Sequence, residues 1–190
     1  DIRSLNNIVD VTNYVMREMG HPAHVFDYDR LTSKKLIIRE SKKGEEIVTL
    51  DQKKHVLQGG DIVADNGEGK IVDLLGVMGT ANSVVAPETK RILYFLDNNE
   101  TAHIRRTSMS LAIRTEAATI NEKGIDPELT YRALLRGIEL YKEVADAEIV
   151  SEIIDIYPEK VSPKTVSVSH EKIQKIIGVE IPVKEVSAIL

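Results

Sequence analysis

The first apolar pattern in the chain has the spacing of a helix. Apolar residues recur every three or four positions, which predicts one amphipathic helix near the start. They are Ile8, Val11, Val15 and Met19. Ser4 or Asn6 can cap its first turn. Gly20 can adopt the left-handed conformation that ends a helix, and Pro22 follows it. Residues 21–31 are then expected to form a loop.

Between Lys34 and about Asp97 the pattern changes to short apolar runs separated by turn-forming residues. Six such runs predict short strands. They are KKLIIRE, EEIVTL, HVLQ, DIVAD, KIVDLLGVM and RILYFL. The stretch DNGEGK, between the fourth and fifth runs, predicts a hairpin loop. Strands at this spacing favour an antiparallel or mixed sheet that is strongly bent or barrel-like over regular βαβ units.

Helical spacing returns after the strands. One helix is expected at about residues 100–111. The clearest helix begins at Asp126, which is a natural N-cap, with Pro127 in its first turn. Its inner face is predicted to carry Leu134, Leu135, Ile138 and Val144. The fold class is therefore α+β, a compact antiparallel or mixed barrel-like sheet with flanking helices.

The last part of the chain has a different pattern. EIVSEIIDIYP predicts a strand, and PEKVSPKTVS has the Pro, Lys and Ser content of a linker. A strand TVSV and a helix HEKIQKIIG follow, the helix capped by Ser169 and closed by Gly178. Another helix is expected after Pro182. Because this last pattern stops in mid-helix, we interpret the chain as a fragment of a longer polypeptide.

Composition narrows the class of protein. The chain has 190 residues, no Cys and a net charge of -5. Without Cys there is no disulfide framework or thiolate metal site, which fits a reducing compartment such as the cytoplasm. An acidic chain binds nucleic acid poorly unless it carries a local basic patch. The densest basic stretch contains Arg105, Arg106 and Arg114. The apolar runs are too short to predict a membrane span.

Three stretches are candidates for chemistry. In SLAIRTEAATINEKGIDP, small residues directly follow Arg114, Thr115 and Glu116, which suggests the floor of a cavity. His21, His24 and Asp27 lie close together in sequence. They could bind a metal, or His24 could line a polar pocket, or the loop could simply be exposed. Gly76 and Gly79 fit either a strand with a tight turn or a backbone that approaches a ligand closely.

Taken together, several motifs resemble the beta subunit of bacterial-type phenylalanyl-tRNA synthetase. They are NNIVDVTNYVMREMGHPAHVFD, LLGVMG, IRRTSMSLAIRTEAA and EKGIDP, in this order and at the spacing of that family. The resemblance covers essentially the whole chain. It implies an aminoacyl-tRNA editing domain at residues 1–158. It also implies that residues 159–190 form a linker and the start of a small winged-helix-like domain.

The resemblance also implies a function. The synthetase must select phenylalanine over tyrosine, and an apolar pocket rejects an added hydroxyl only about a hundredfold. The family therefore hydrolyses mischarged Tyr-tRNA(Phe) in the editing domain. The implied partners are the 3′ end of tRNA(Phe) and the alpha subunit, in an alpha2-beta2 heterotetramer. No cofactor or metal is expected in this fragment, whereas ATP and magnesium serve the full synthetase elsewhere.

Carried over position by position, the family's site residues fall into three groups. The implied catalytic positions are His24 and Asn13. The implied substrate-binding positions are Thr12, Gly79, Phe95, Thr115, Glu116 and Ala117. The tRNA-binding positions are Arg3, implied at the edge of the pocket, together with Arg105 and Arg106 from the basic stretch.

The chain departs from the family at three places. Phe95 stands where the family has the Glu that accepts the tyrosine hydroxyl, Thr80 follows Gly79 where the family has a second Gly, and Ile120-Asn121 replaces Arg-Phe. Because Phe cannot accept a hydrogen bond, two hypotheses stay open. The chain is either an active editing domain or a non-catalytic scaffold and tRNA-docking module with lost or altered editing.

Overall fold

The computed structural model describes residues 4–190, so the predicted tRNA-binding residue Arg3 lies outside the described part. Its helices are α1 (Asn7–Met19), α2 (Thr101–Ser110), α3 (Glu116–Asn121), α4 (Pro127–Ala145), α5 (His170–Ile177) and α6 (Val183–Ile189). Its strands are β1 (His24–Asp27), β2 (Ile37–Glu40), β3 (Glu46–Val48), β4 (Lys54–Val56), β5 (Ile62–Asp65), β6 (Ile71–Leu74), β7 (Met78–Gly79) and β8 (Ile92–Phe95).

The strands form three antiparallel sheets. The largest has the order β2-β5-β6-β7, and the pairs β1-β8 and β3-β4 form two smaller sheets. The predicted hairpin loop connects β5 to β6, where Asp65 and Asn66 accept hydrogen bonds from the loop backbone. The α+β class and the antiparallel pairing are confirmed. Within residues 4–190 the strands do not close into a barrel.

The predicted helix ends are confirmed by their capping contacts. At α1, Asn6 accepts a hydrogen bond from the backbone N–H of Val9 at 2.9 Å, and Gly20 closes the helix with φ 72°. At α4, Asp126 caps the first turn with Pro127 behind it. Local sequence chemistry is sufficient for these ends because each cap is a short-range contact.

Four expectations about secondary structure are wrong, and one short helix has no counterpart among the expectations. Residues 24–27 form strand β1 rather than loop, because they pair with β8 from far along the chain. The short helix α3 lies just beyond Arg114, where the pattern of apolar residues predicts no helix. The stretches predicted as strands at 148–158 and 165–168 are not in any strand. The inner face of α4 is also rotated from the expected one, since its buried residues are Ala133, Gly137 and Tyr141.

The β1-β8 ribbon has two differently packed faces. On one face, Phe26, Leu93 and Phe95 pack with residues of the four-stranded sheet. On the other, Tyr94 and its neighbours on β8 pack with α1 and α4. Gly137 of α4 lies directly against the Tyr94 ring, where a Cβ would overlap it. The small residues on α4 therefore make room for an aromatic ring.

The chain divides into two compact units, with the division between Glu152 and Ile153. The second unit contains α5 and α6. Ser169 accepts a hydrogen bond from the backbone N–H of Lys172, and Gly178 ends α5 with φ 76°, as predicted. The predicted domain boundary after residue 158 stays a prediction.

Candidate functional site

Three of the predicted site residues meet at the start of β1. His24 pairs with Phe95 across the β1-β8 ladder. Its ring meets that of Phe26 edge-on, with 4.5 Å between centroids. On its other side lies Gly79, where a Cβ would come within 2.6 Å of His24 Cε1. His24, Gly79 and Phe95 therefore surround one place, although they are far apart in sequence.

The two glycines of the LLGVMG motif serve different purposes. Gly76 has φ 67° in the turn that follows β6, so the backbone conformation itself favours glycine there. Gly79 is outside the left-handed region and pairs with Asp73 in the β6-β7 ladder. Position 79 needs glycine because His24 and Leu50 occupy the space that a Cβ would take. Gly79 therefore brings backbone close to the site histidine.

Thr115 ties helix α3 to the same strand segment. Its hydroxyl donates to the Val77 carbonyl at 2.6 Å and accepts from the backbone N–H of Ala118 at 3.0 Å. The N-terminus of α3 is thus held two residues from Gly79. Ala118 is buried in the core and Ala117 is half-buried. The cavity predicted from these small residues stays a prediction.

Two further predicted residues lie on α1, and a third is linked to that helix. Thr12 is buried and donates to the Val9 carbonyl at 2.7 Å, so its hydroxyl is engaged within the helix. Asn13 is half-buried. Glu116 of α3 is exposed and pairs with Arg17 of α1 at 2.8 Å. The described hydrogen bonds do not connect Thr12 or Asn13 to His24.

The predicted tRNA-binding arginines lie on the exposed side of α2. Arg106 donates to the Gly60 carbonyl, which commits part of its guanidinium to the protein backbone. Arg105 is exposed. In the part of the chain that the structure describes, neither side chain is hydrogen-bonded to His24, Gly79 or Phe95.

The site contains a buried carboxyl group, Asp73, and a half-buried one, Asp97, that the sequence motifs do not predict. Burial raises the pKa of Asp73, the ladder partner of Gly79, to about 7. Burial also raises the pKa of Asp97 to about 6, although a hydrogen bond from Asn99 opposes that rise. Neither residue belongs to a motif with a recognisable spacing. Asp73 pairs with Gly79 between the consecutive strands β6 and β7, whereas the long-range β1-β8 pairing brings the chain at Asp97 close to His24.

Burial keeps the site histidine neutral. It lowers the pKa of His24 to about 4, against the attraction of the Asp97 carboxylate. At neutral pH the imidazole therefore carries no charge. It can donate one hydrogen bond and accept another, but it is a poor proton acceptor and has no cationic field.

The alternative of a metal site at His21, His24 and Asp27 does not fit the geometry. His21 donates to the Pro22 carbonyl at 2.7 Å and accepts from the Thr130 hydroxyl at 2.9 Å. Asp27 accepts from the Asp29 N–H and from the Thr89 hydroxyl. Among residues 4–190, no group of three or more acidic or His side chains is placed to hold a metal ion.

Comparison with models of protein families shows the family of the first unit. The model of the B3/4 domain matches residues 1–146. The chain belongs to the B3/4 domain family. His24, Gly79, Phe95 and Thr115 all lie within the matched residues.

Curated relatives extend the similarity to nearly the whole chain. It is 40% identical over 193 residues to the phenylalanine-tRNA ligase beta subunit of Fusobacterium nucleatum, with 100% of this chain and 23% of the relative covered. The beta subunit of Clostridium acetobutylicum is 39% identical, with 100% and 24% covered. That of Thermotoga maritima is 36% identical, with 95% and 23% covered. The resemblance inferred from the motifs is confirmed, and the chain spans about a quarter of these relatives.

A separate surface cleft of this B3/4 domain has a volume of about 580 Å³. It is lined by Glu45, Glu46, Ile47, Val48, Glu68, Gly69, Lys70, Ile71, Ala81 and Asn82. None of the predicted site residues is among them. The chemistry of the His24 group, and not the size of a cleft, therefore marks the candidate site. Among residues 4–190 no helix has the length and apolarity to cross a membrane.

Proposed function

We propose that this chain is the editing module of a phenylalanine-tRNA ligase beta subunit and hydrolyses Tyr-tRNA(Phe). One observation carries the proposal. In a B3/4 domain whose relatives are named as such beta subunits, a neutral His24 packs against Gly79, beside the strand segment that Thr115 ties to α3. The implied catalytic and substrate-binding positions on β1, β7 and α3 are thereby held close to one another.

The reaction is the attack of a water molecule on the ester carbonyl that joins tyrosine to the terminal ribose. With a pKa of about 4, His24 is too weak a base to take the water proton at neutral pH. Its role is to orient substrate or water through hydrogen bonds, with Asn13 assisting. As the bond between the carbonyl carbon and the ribose oxygen breaks, the neighbouring hydroxyl of the terminal ribose passes the water proton to the departing oxygen. Free tyrosine and the uncharged tRNA are released, and the RNA is part of the catalytic group.

The small side chain at Ala117 suits this substrate because an aromatic ring needs space. Ala117 is half-buried on the first turn of α3, next to the residue that contacts Val77. Thr115 itself is occupied by its two hydrogen bonds, so it acts by holding α3 in position. We assign Arg3, Arg105 and Arg106 to contact with the tRNA. The alpha subunit, ATP and magnesium belong to the aminoacylation reaction outside this chain.

A second candidate function is a non-catalytic scaffold and tRNA-docking module. Phe95 favours it, because this ring packs against Phe26 at 5.9 Å between centroids and joins the core. An aromatic ring offers the tyrosine hydroxyl no acceptor. On this alternative the domain would hold tRNA without hydrolysing it.

The deciding experiment is deacylation of Tyr-tRNA(Phe) by the complete synthetase that contains this chain. We expect His24→Ala to lower the hydrolysis rate by about a hundredfold, since one misplaced catalytic contact has that effect. His103→Ala is the matched control, because His103 lies on α2 and bonds to Glu100 instead. Hydrolysis by the parent enzyme at only the uncatalysed rate would overturn the editing function and leave the scaffold function as the alternative.

A further inference from the structure

The chain beyond β8 continues the alternation of the strand. Ile92, Tyr94 and Leu96 all pack with the helices, while Leu93 and Phe95 pack with the sheet. Successive side chains of an extended segment point to opposite faces. Asp97 is therefore the next residue on the face that carries Phe95. His24, the ladder partner of Phe95, lies on the same face.

Asp97 is held in this place by the residues that follow it. Asn99 donates a hydrogen bond to its carboxylate, and Asn98 donates to the Ile125 carbonyl at 3.1 Å. The charged and titratable groups that act on it are Asp73, His21 and His24. Asp97 is half-buried, so an atom of a bound molecule can still reach the carboxylate.

We propose that Asp97 is the acceptor that reads the phenolic hydroxyl of the edited amino acid, a role that Phe95 cannot fill. This inference rests on the proposed editing function. Asp97 lies two residues beyond Phe95 on the same face, about 6.6 Å along the extended chain. In this arrangement the carboxylate beyond the Phe95 ring accepts the hydrogen bond from the hydroxyl.

The buried carboxyl group of Asp73 is less suited to this role. Asp73 is almost fully buried within β6, where it faces Gly79 in the ladder. Its pKa of about 7 leaves it about half protonated at neutral pH, whereas the lower pKa of Asp97 leaves that group mostly ionised. An ionised carboxylate is the stronger acceptor for an O–H donor.

The test compares hydrolysis of Tyr-tRNA(Phe) and Phe-tRNA(Phe) by the complete synthetase. We expect Asp97→Leu to lower the ratio of the two rate constants, kcat/KM, by about ten- to a hundredfold, because the hydroxyl loses its acceptor. Asp97→Asn keeps the shape and a weaker acceptor, so the ratio should fall by about threefold to tenfold. Glu143→Gln, an exposed carboxylate on α4, is the control and should leave the ratio unchanged.

The proposal is overturned if the ratio of kcat/KM values is unchanged in both Asp97→Asn and Asp97→Leu. An equal fall in kcat/KM for both substrates also overturns it, because that result indicates a structural role. If Asp97→Leu is too unstable to assay, the Asp97→Asn ratio decides alone. In either of these cases, a loss of Tyr-tRNA hydrolysis in His24→Ala leaves the editing function standing.

A binding measurement separates this proposal from the proposed function. It applies if the parent enzyme does not hydrolyse Tyr-tRNA. We then compare the binding of tyrosyl-adenosine and phenylalanyl-adenosine, both with a 3′-amino linkage. A stable analogue of phenylalanyl-adenylate saturates the synthetic site during the measurement. A preference for the tyrosyl compound that disappears in Asp97→Leu supports Asp97 as the acceptor for the hydroxyl. In that case only the proposed hydrolytic function is rejected. Equal binding of the two compounds overturns both.

Discussion

Gly79→Ala adds one methyl group at the most crowded contact of the site. The new Cβ would lie 2.6 Å from His24 Cε1 and 3.1 Å from Leu50 Cδ1. Carbon atoms pack at about 3.5–4.0 Å, so the imidazole must move by about 1 Å. Its movement is opposed by Phe26, which meets it edge-on. The substitution therefore tests whether this contact positions His24.

The expected cost in stability is modest. Overpacking and a distorted rotamer cost about 1–3 kcal/mol together. Replacing glycine outside the left-handed region returns about 0.4–1 kcal/mol, because the unfolded chain loses freedom. The net loss of unfolding free energy should be on the order of 1–2 kcal/mol. The loss of Tyr-tRNA hydrolysis should be larger, about a hundredfold, since a displacement of about 1 Å has that effect on a catalytic group.

Denaturant unfolding of the chain, together with deacylation by the complete synthetase, measures both effects. The double variant Gly79→Ala with His24→Ala is the control, because removal of the ring relieves the clash. It should recover about 1 kcal/mol relative to the sum of the single variants. Additive single effects, or a Gly79→Ala enzyme that hydrolyses Tyr-tRNA normally, would refute the idea that this contact positions the histidine.

Three further substitutions test the packing and charge of the domain. Asp73→Asn should raise the unfolding free energy at about pH 8 by up to about 4 kcal/mol and leave it nearly unchanged at about pH 4. Burial raises the pKa of this carboxyl to about 7, so the folded state loses stability as pH rises from about 4 to 7. Denaturant unfolding of both proteins at about pH 4 and pH 8 measures the difference. Gly137→Ala should destabilise by about 1–3 kcal/mol in the same assay, against the usual gain of Ala in a helix, because its Cβ overlaps Tyr94. Ala117→Trp should abolish Tyr-tRNA hydrolysis by the complete synthetase while Phe-tRNA synthesis persists, and unchanged hydrolysis would contradict the pocket assignment.

The parts of the fold that follow from local chemistry could be predicted from the sequence. Asn6, Gly20 and Asp126 cap their helices through contacts within a few residues, and a sequence window contains both partners. The hairpin between β5 and β6 is local in the same sense. Strand β1 could not be predicted in this way, because His24–Asp27 forms its ladder with β8, about 70 residues later. A long-range partner overrides the loop signals of the surrounding sequence.

The site shows the same division. The family resemblance supplied His24 and Gly79, and their contact is observed. Phe95 is placed beside His24, where its ring joins the core. Asp73 and Asp97 had no signal in the sequence, because isolated acidic residues are usually solvated. Their positions depend on the pairing of strands, which the spacing of apolar residues does not specify.

Phe95, which stands where the family resemblance implies a glutamate, and the nearby Asp97 are best understood together. A glutamate at position 95 would have to be desolvated against Phe26, which is fully buried. The aromatic ring removes that cost and completes the core. A carboxylate two residues later keeps the same face of the ribbon but lies where the strand ends and solvent reaches it. Its charge also faces the neutral His24, whose protonation it favours only weakly against burial. One face of the ribbon can thus carry both a core aromatic residue and an ionised acceptor. Phe95 and Asp97 are two residues apart, so their side chains point to the same face.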